Sequence, residues 1–597
     1  MDSNKKLKNA DTNHNTDNNS LLPSHSPQLY CSHLPNPFSL APPIYTPNLA
    51  SSSSLIFFNH YPNMPILSKL RFLFFLLAFV SFFFAAFANS TSSSGSDYLQ
   101  SECLSVPTSS FVSSLTTTIN AIRQVVPIVS QFVNIFGDFR LTNAVSDCLD
   151  LLDFSADELS WSVSASQNPN GKHNSSGDLS SDLRTWLSAT LANQDTCIDG
   201  FDGTNGIVKS VVAGSLNQIT SLVQNLLTMV HPTSNSTKSR TGRGGNGSGN
   251  GGGKSGQKFT NTGQFPAWFK REDRKLVLVY GVSADVVVAA DGTGNFTNVT
   301  DAVLAAPDYS MTRHVIYIKR GVYKENVEIK KKKWNIMMVG DGMNATIISG
   351  NRSFVDGWTT FRSATFAVSG RGFIARDITF ENTAGPMKHQ AVALRSDSDL
   401  SVFFRCEIRG YQDSLYTHAL RQFYRECKIS GTVDFIFGDA TAVFQNCQLL
   451  ARKGLPDQKN TITAQGRKDP NQPSGFSFQF CNITADLDLL SSVNTTSTYL
   501  GRPWKLYSRT VIMQSYISEA IRPEGWLEWD HEYALDTLDY GEYMNYGPGA
   551  GLASRVKWPG YHPLNDSAAD NYTVANFLQG NLWLPSTGVK YTAGLAV

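Results

Sequence analysis

The sequence lacks an excess of charge of either sign: 50 lysines and arginines balance 49 aspartates and glutamates among 597 residues. A nucleic-acid-binding protein needs a basic surface, so we expect no nucleic-acid partner. The chain also lacks the Gly-x-Ser-x-Gly segment of a serine esterase and the His-Glu-x-x-His segment of a zinc hydrolase. We therefore expect neither a metal nor another cofactor.

Cysteine is scarce, with eight in the chain. Seven of them follow Cys31, so at least one is expected to be free or paired outside the chain. Cys427 and Cys447 lie at equivalent points of a repeat described below. They are expected either to form a disulfide in an oxidising compartment or to pack, with Cys406 and Cys481, as small apolar core residues.

A single long apolar run covers residues 71–89, with basic residues on its amino side and Ala86-Phe87-Ala88 near its end. This pattern predicts a secretory signal peptide, although its length also permits a membrane signal anchor. Asn-x-Ser/Thr sequons such as Asn295 and Asn482 fit passage through the secretory pathway. The polar leader over residues 1–70 is expected to be disordered.

The remaining chain divides into three regions by composition. Residues 96–232 carry apolar stripes of helical period, which predict an all-α four-helix bundle. Residues 233–280 are rich in Gly and Ser and predict a flexible linker, in which the basic pair Arg274-Lys275 is a candidate protease site. Residues 281–597 consist of short β-prone runs separated by Gly and Asn.

A short sequence motif with a central cysteine recurs in this third region, at Val402–Ile408, Phe423–Ile429, Val443–Leu449 and Phe478–Ile483. The first three cysteines are spaced by 21 and 20 residues, which is one coil of a parallel β-helix and too short for a helical hairpin repeat. Residues one period apart are therefore expected to stack.

Polar residues share the period. Asp434 follows Asp413 by 21 residues, and Gln412 follows Gln390 by 22. Because adjacent strands lie about 4.8 Å apart, we expect these side chains to form one column on one face. Two carboxyls so close must differ in protonation, and Arg502 is the candidate cation that keeps one of them ionised.

Five segments identify a family resemblance. The region resembles the plant pectin methylesterases in the segments Asp285–Gly294, Gly321–Glu325, Gly410–Tyr416, Gly431–Gly438 and Leu500–Trp504. The resemblance covers about the last 315 residues, with the segments in order. It implies a right-handed parallel β-helix that hydrolyses the C6 methyl esters of homogalacturonan.

The resemblance also implies a role for each polar residue of the column. Asp434 is expected to be the nucleophile and Asp413 the proton donor and acceptor. Gln412 and Gln390 are expected to stabilise the oxyanion, and Arg502 to orient Asp434 and the substrate.

Further positions match substrate contacts of the family. These are Thr360, Trp504, Tyr416, Phe437 and Tyr499, in addition to Gln390 and Arg502. The aromatic residues among them are equally compatible with packing.

The helical region resembles the pectin methylesterase inhibitor domain that precedes many of these enzymes. The segments around Cys148 and Cys197 carry this resemblance and imply a disulfide between them. The second amino-terminal cysteine of that family is missing after Cys103, which is expected to be the odd thiol and leaves inhibition open. Arg274-Lys275 resembles the processing site of such precursors.

The expected partners follow from both resemblances: methyl-esterified homogalacturonan, an inhibitor bundle in the same chain or separate from it, and a processing protease. We expect a monomer in the cell wall. A pectate lyase or polygalacturonase would share the solenoid, but neither explains two glutamines beside two acids. A non-catalytic wall-binding protein would not require both acids.

Overall fold

The structure, a computed structural model, describes residues 103–133, 137–168, 175–204, 206–232, 284–493 and 495–596. These residues belong to one compact unit spanning Ser93–Val597. The expected leader, the apolar run 71–89 and the linker 233–280 with Arg274-Lys275 lie outside the described residues. Within the described ranges, no helix is long and apolar enough to cross a membrane.

Four helices form the amino-terminal part of this unit: α1 (Thr108–Ser130), α2 (Phe139–Gln167), α3 (Leu179–Gly200) and α4 (Gly206–Thr228). Helix α2 packs between α1 and α3, and α4 packs against α1 and α3. The buried face of α1, which includes Phe111, Leu115 and Ile122, follows the apolar stripe of the sequence.

Local polar contacts and one disulfide fix the ends and spacing of these helices. Asp138 caps α2 by accepting hydrogen bonds from two backbone amides, and Asp178 caps α3 by accepting one from Ser181. Cys148 on α2 and Cys197 on α3 form a disulfide that closes a loop of 49 residues. Cys103 is free and buried, and burial raises the pKa of its thiol to about 11.

The carboxy-terminal part is a solenoid of short strands. The strands in the described chain are β1 Val286–Val288, β2 His314–Ile318, β3 Gly321–Lys324, β4 Val327–Ile329, β5 Ile336–Gly340, β6 Thr346–Gly350, β7 Phe366–Val368, β8 Ile374–Arg376, β9 Thr379–Asn382, β10 Leu394–Ser396, β11 Ser401–Phe404, β12 Glu407–Arg409, β13 Leu415–Thr417, β14 Arg421–Arg425, β15 Lys428–Gly431, β16 Ile436–Gly438, β17 Thr441–Gln445, β18 Gln448–Ala451, β19 Asn460–Gln465, β20 Gly475–Gln479, β21 Asn482–Ala485, β22 Thr498–Gly501, β23 Arg509–Met513, β24 Tyr516–Ile517, β25 Asp539–Tyr543 and β26 Tyr561–Pro563.

All these strands pair in parallel and form three sheets. Sheet 1 has the order β1-β2-β5-β8-β11-β14-β17-β20-β23-β25-β26, sheet 2 the order β4-β7-β10-β13-β16-β19-β22, and sheet 3 the order β3-β6-β9-β12-β15-β18-β21-β24. Each coil from β2 to β22 contributes one strand to each sheet, so the prediction of a parallel β-helix after a helical bundle is confirmed.

The recurring sequence motif forms stacked layers inside the solenoid. Phe403, Tyr424, Phe444 and Phe478 stack on successive coils with ring centroids 4.5–4.8 Å apart. These rings are buried in a continuous apolar core that consists of β-helix residues alone. The period of the sequence is therefore the period of the core.

The expected Cys427–Cys447 disulfide is wrong, and the alternative of core packing holds. Both cysteines are free and buried, as are Cys406 and Cys481. Each thiol points at a main-chain carbonyl of the preceding coil: Cys427 Sγ lies 3.2 Å from Phe403 O, and Cys447 Sγ lies 3.6 Å from Tyr424 O. Their sulfurs thus contact the backbone and are not joined to each other by a covalent bond.

Short helices cover the ends and one side of the solenoid. In the described chain these are α5 Val299–Ala305, α6 Leu487–Leu490, α7 Asp566–Asp570, α8 Val574–Phe577 and α9 Gly580–Trp583, with 3-10 turns at Phe361–Ser363, Pro386–Lys388 and Leu584–Thr587. Helices α8 and α9 pack Val574, Leu578 and Trp583 on the outer face of sheet 1. The predicted polar residues lie beside sheet 2, in the turns at the ends of its strands.

Candidate active site

Asp413 and Asp434 occupy equivalent positions on neighbouring coils. Leu415 of β13 lies beside Ile436 of β16, and each aspartate precedes its strand by two residues. The backbone amide of Asp413 donates to Val433 O at 3.1 Å, which continues this register through the turn. The two carboxyls therefore belong to one column at the edge of sheet 2.

Both aspartates have left-handed backbone conformations, with φ of 63° for Asp413 and 50° for Asp434. Aspartate tolerates this region better than most residues, and it turns the chain sharply into the following strand. The turn before Asp434 also needs Gly431, because a Cβ there would lie 2.3 Å from Phe435 Cβ and 2.6 Å from Ser414 Oγ. The turn before β16 therefore depends on both Gly431 and Asp434.

Gln390 and Gln412 also stack, but in a separate column. The amides of Ala393 and Leu394 both donate to Ser414 O, which places one extra residue on this coil and explains the spacing of 22. The amide of Ala391 donates to Gln412 O, so Gln390 lies opposite Gln412, and Ala391 lies opposite Asp413. The single predicted column is thus two neighbouring columns, one of amides and one of acids.

Arg502 holds the Asp434 carboxylate with two hydrogen bonds. Arg502 Nε donates to Asp434 Oδ1 at 2.8 Å, and Arg502 Nη2 donates to Asp434 Oδ2 at 2.6 Å. This planar fork fixes both oxygens and places a positive charge beside the carboxylate. Burial alone lowers the pKa of Arg502, but the Asp434 carboxylate outweighs it and the net pKa is raised.

Two supporting residues were not predicted from the sequence. Thr461 Oγ1 donates to Asp434 Oδ1 at 2.6 Å and accepts from the Asp434 amide at 2.9 Å. The Arg502 guanidinium lies over the Trp529 ring, 4.3 Å from its centroid. Thr461 follows Asp434 by 27 residues because a loop interrupts the coil, so the period of 21 does not reach it.

Asp413 is in the opposite electrostatic state. It is buried, and burial raises its pKa well above the ordinary 3.8. The Asp434 charge raises the pKa of Asp413 further, whereas Arg502 lowers it in part. The site therefore pairs an ionised carboxylate with a carboxyl that keeps its proton to higher pH.

The expected aromatic residues lie on the same outer face of sheet 2. Tyr416 and Phe437 are register neighbours whose rings stack at 4.1 Å, and Trp504 meets Phe437 edge-on at 5.9 Å. Tyr499 is the register neighbour of Thr461 on the next coil. Thr360 begins the turn that leads to Phe361, and the adjacent Thr359 faces the helical bundle.

The helical bundle covers this face. Tyr416, Phe437 and Trp504 share one apolar cluster with residues of α1 to α4. Thr196 of α3 hydrogen bonds to Tyr416 OH at 3.0 Å and to His418 Nε2 at 2.9 Å. Burial lowers the pKa of His418 to about 3, so this ring is neutral. Tyr416, Phe437 and Trp504 form an aromatic floor, and helix α3 of the same chain covers it.

Ion pairs fasten the bundle to the β-helix. They join acids of α2 and α3 to cations of the solenoid: Asp147 and Asp150 to Arg362, Asp153 and Asp157 to Lys331, Asp182 to Arg421, Asp195 to Lys468, and Asp199 to Lys505. The pair between Asp182 and Arg421 is fully buried. These five cations of the β-helix form a basic groove, and helices α2 and α3 each present a row of carboxylates to it.

The comparisons with known proteins agree with this geometry. The family model described as Pectinesterase matches residues 285–581, and the one described as Plant invertase/pectin methylesterase inhibitor matches residues 84–229. In the solved structures, the pectin methylesterase from carrot is matched with 54% identity and a TM-score of 0.53, over 53% of this chain and 100% of the carrot chain.

Two curated relatives span both parts of the chain. The pectinesterase/pectinesterase inhibitor PPE8B of Prunus persica is 70% identical over 545 residues, which cover 91% of this chain and 99% of that protein. The probable pectinesterase/pectinesterase inhibitor 44 of Arabidopsis thaliana is 65% identical over 510 residues, which cover 84% and 97%. The chain therefore belongs to the pectinesterase family and carries an inhibitor-type domain ahead of its β-helix.

Proposed function

We propose that this pectinesterase removes the C6 methyl esters of homogalacturonan with Asp434 as nucleophile and Asp413 as acid and base. The observation that supports these roles most directly is the fork from Arg502 to Asp434 beside a carboxyl that burial keeps protonated. One acid is ready to attack and its neighbour is ready to donate a proton.

In the first half-reaction, an Asp434 oxygen attacks the ester carbonyl carbon and forms a tetrahedral oxyanion. Amide N–H groups of Gln390 and Gln412 donate to this oxygen. The intermediate collapses as the C–O bond to the methoxy group breaks. The departing oxygen takes the proton of Asp413 and leaves as methanol. The acyl group remains bound to Asp434.

In the second half-reaction, water attacks the acyl carbon and gives a proton to the ionised Asp413. The bond between the acyl carbon and the Asp434 oxygen then breaks, which restores the Asp434 carboxylate and releases a galacturonic acid unit, whose remaining proton is lost to solvent. Arg502 and Thr461 hold Asp434 in the same orientation throughout. Asp413 returns to its protonated state, so both groups are ready for another ester.

We expect Asp434→Asn to lower methanol release from methyl-esterified pectin by about three orders of magnitude or more, because the nucleophile is lost. The assay uses the chain cleaved in its linker and freed of the bundle. Asp457→Asn, at an exposed loop position, is the matched control and should retain activity. Methanol release by the Asp434 variant at a rate close to that of the parent would refute the mechanism.

We further propose that the bundle inhibits the enzyme to which it is attached. It closes the aromatic floor through Thr196 and places carboxylates on the cations of the groove. A polymer cannot reach Asp413 and Asp434 while α3 lies on Tyr416 and Trp504. In the described chain, the hydrogen bonds and ion pairs named for this contact are made by α2 and α3 and none by Cys103, so the missing amino-terminal disulfide does not prevent it.

Weakening one interdomain ion pair is expected to activate the uncleaved chain. Asp147 is buried and accepts hydrogen bonds from Arg362 and Thr359, so Asp147→Ala removes both hydrogen bonds and leaves the Arg362 guanidinium without this partner. Methanol release by the full chain should rise about ten- to a hundredfold. Asp202→Ala is the control, because Asp202 pairs with Lys209 inside the bundle. An inactive Asp147 variant that becomes active only on removal of the bundle would contradict this role of the pair.

The closed state should also depend on pH. Burial raises the pKa of Asp147, against the lowering effect of Arg362, Thr359 and Arg395. Burial likewise raises the pKa of Asp199, which faces Lys505 and its neighbours Asp195 and Asp202. These two carboxyls therefore take up protons on closing, whereas His418 under Thr196, whose pKa burial lowers to about 3, gives one up below its ordinary pKa of 6.5.

In the variant His418→Gln, which removes this opposing titration, the bundle is consequently expected to bind most tightly in acid. The free carboxyls lose their protons near the ordinary pKa of 3.8, whereas the buried ones keep them to higher pH. Binding should weaken as the pH rises from the free to the raised pKa and should change little beyond it. Gel filtration of linker-cleaved protein over a pH series tests this. Co-elution that strengthens with rising pH would contradict the sign.

The remaining assignments are proposals from the sequence. We propose secretion to the cell wall through the segment 71–89, with release of the enzyme by cleavage at Arg274-Lys275 in the linker 233–280. The inhibitor part comprises residues 96–232 and the enzyme residues 281–597, and the released enzyme acts as a monomer. Sequencing the amino terminus of the secreted protein tests the cleavage.

A further inference from the structure

Two lysines of the groove hold carboxylates of one bundle helix. Lys468 Nζ lies 2.6 Å from Asp195 Oδ1, and Lys505 Nζ lies 3.0 Å from Asp199 Oδ2. The two aspartates are one helical turn apart on α3, so their carboxylates follow each other about 6 Å apart along the helix axis. The lysines thus receive a short row of negative charges.

The same two lysines border the aromatic floor. Lys505 Nζ lies 5.0 Å from the centroid of the Trp504 ring. Lys468 follows Gly466, whose backbone packs so closely on Trp504 that a Cβ would lie 2.9 Å from that ring. A small cavity between the bundle and the β-helix is lined by Asp195, Tyr416, Trp504 and Lys505. A polymer on this floor would meet both ammonium groups.

Within the described chain, the ion pairs of these lysines are made to the bundle alone. Both side chains are mostly covered while the bundle is bound, with 18% of Lys468 and 22% of Lys505 exposed. Burial lowers the pKa of Lys505, but Asp199 and Asp195 outweigh this and the net pKa is raised. Removal of the bundle leaves two cations beside the floor without these carboxylate partners.

We propose that Lys468 and Lys505 bind free carboxylates of galacturonate units near the esterified unit, and that Asp195 and Asp199 occupy the places of those carboxylates in the closed chain. This inference rests on the proposed function. It makes the two lysines specificity-determining residues and makes α3 an imitation of a de-esterified substrate segment.

The chemistry of pectin gives this placement a consequence. A methyl ester is neutral and offers a lysine only a weak acceptor, whereas a free galacturonate forms an ion pair with it. Each turnover converts a neutral unit into an anion, so the product of one reaction improves binding for the next ester nearby. The enzyme should therefore prefer partly de-esterified chains, and this preference should weaken with salt.

The test compares kcat/KM for two homogalacturonan oligomers of equal length, one fully methyl-esterified and one about half de-esterified. It uses linker-cleaved protein freed of its bundle, since the β-helix has its own core. We expect the parent to favour the partly de-esterified oligomer. Lys468→Gln and Lys505→Gln should each lower that preference about three- to tenfold, mainly through KM, and the double variant should lower it further.

Two controls separate binding from structure. Lys505→Arg keeps the positive charge and should retain much of the preference. Lys590→Gln changes an exposed lysine of the carboxy-terminal segment, next to Tyr591, which packs on sheet 1, and should leave the preference unchanged. The glutamine variants should also bind the separated bundle more weakly, because they lose the pairs with Asp195 and Asp199.

The outcomes are distinct. A preference that survives both lysine substitutions, or an equal loss of kcat/KM on the two oligomers, would overturn the inference while leaving the proposed esterase activity in place. Absence of methanol from both oligomers with the parent protein would refute the proposed function itself, and the inference with it.

Discussion

The bidentate hydrogen-bonded pair of Arg502 and Asp434 is the constraint on which the rest of the site depends. It fixes one carboxylate as an anion, and that anion, together with burial, keeps the neighbouring Asp413 protonated. In the proposed mechanism, two chemically identical side chains thereby take opposite roles. The β-helix fold brings these three groups together. Stacking of neighbouring coils places the two acids side by side, and a residue of a later coil supplies the guanidinium.

In the proposed inhibition, the bundle occupies the basic groove that a polyuronate would use. Its carboxylates lie on Arg362, Arg421, Lys468 and Lys505, and its α3 covers the aromatic floor. An inhibitor of this kind competes with substrate because its carboxylates resemble those of a polyuronate. Protonation of its buried carboxyls makes the binding of the bundle depend on pH. Inhibition, release and substrate preference then have one electrostatic origin.

Much of this was accessible from the sequence. The period of 21 residues predicted the parallel β-helix and the stacking of Asp413 on Asp434, because a solenoid converts sequence spacing directly into distance. The period predicted the glutamine column only approximately, since one extra residue before β10 shifts the register. Thr461 and Trp529 were missed because loops of irregular length precede them. The contact between bundle and floor, as between Thr196 and Tyr416, joins residues more than 200 positions apart, and no local pattern encodes it.

The most direct measurement of the central claim is the protonation state of Asp413 in the working enzyme. Infrared difference spectra between the parent and Asp413→Asn, recorded over a pH series, report the protonated carboxyl. We expect a protonated Asp413 signal that persists well above the ordinary pKa of 3.8, because burial and the Asp434 charge oppose ionisation of Asp413. An Asp413 that ionises near its ordinary pKa of 3.8 would contradict the proposed mechanism.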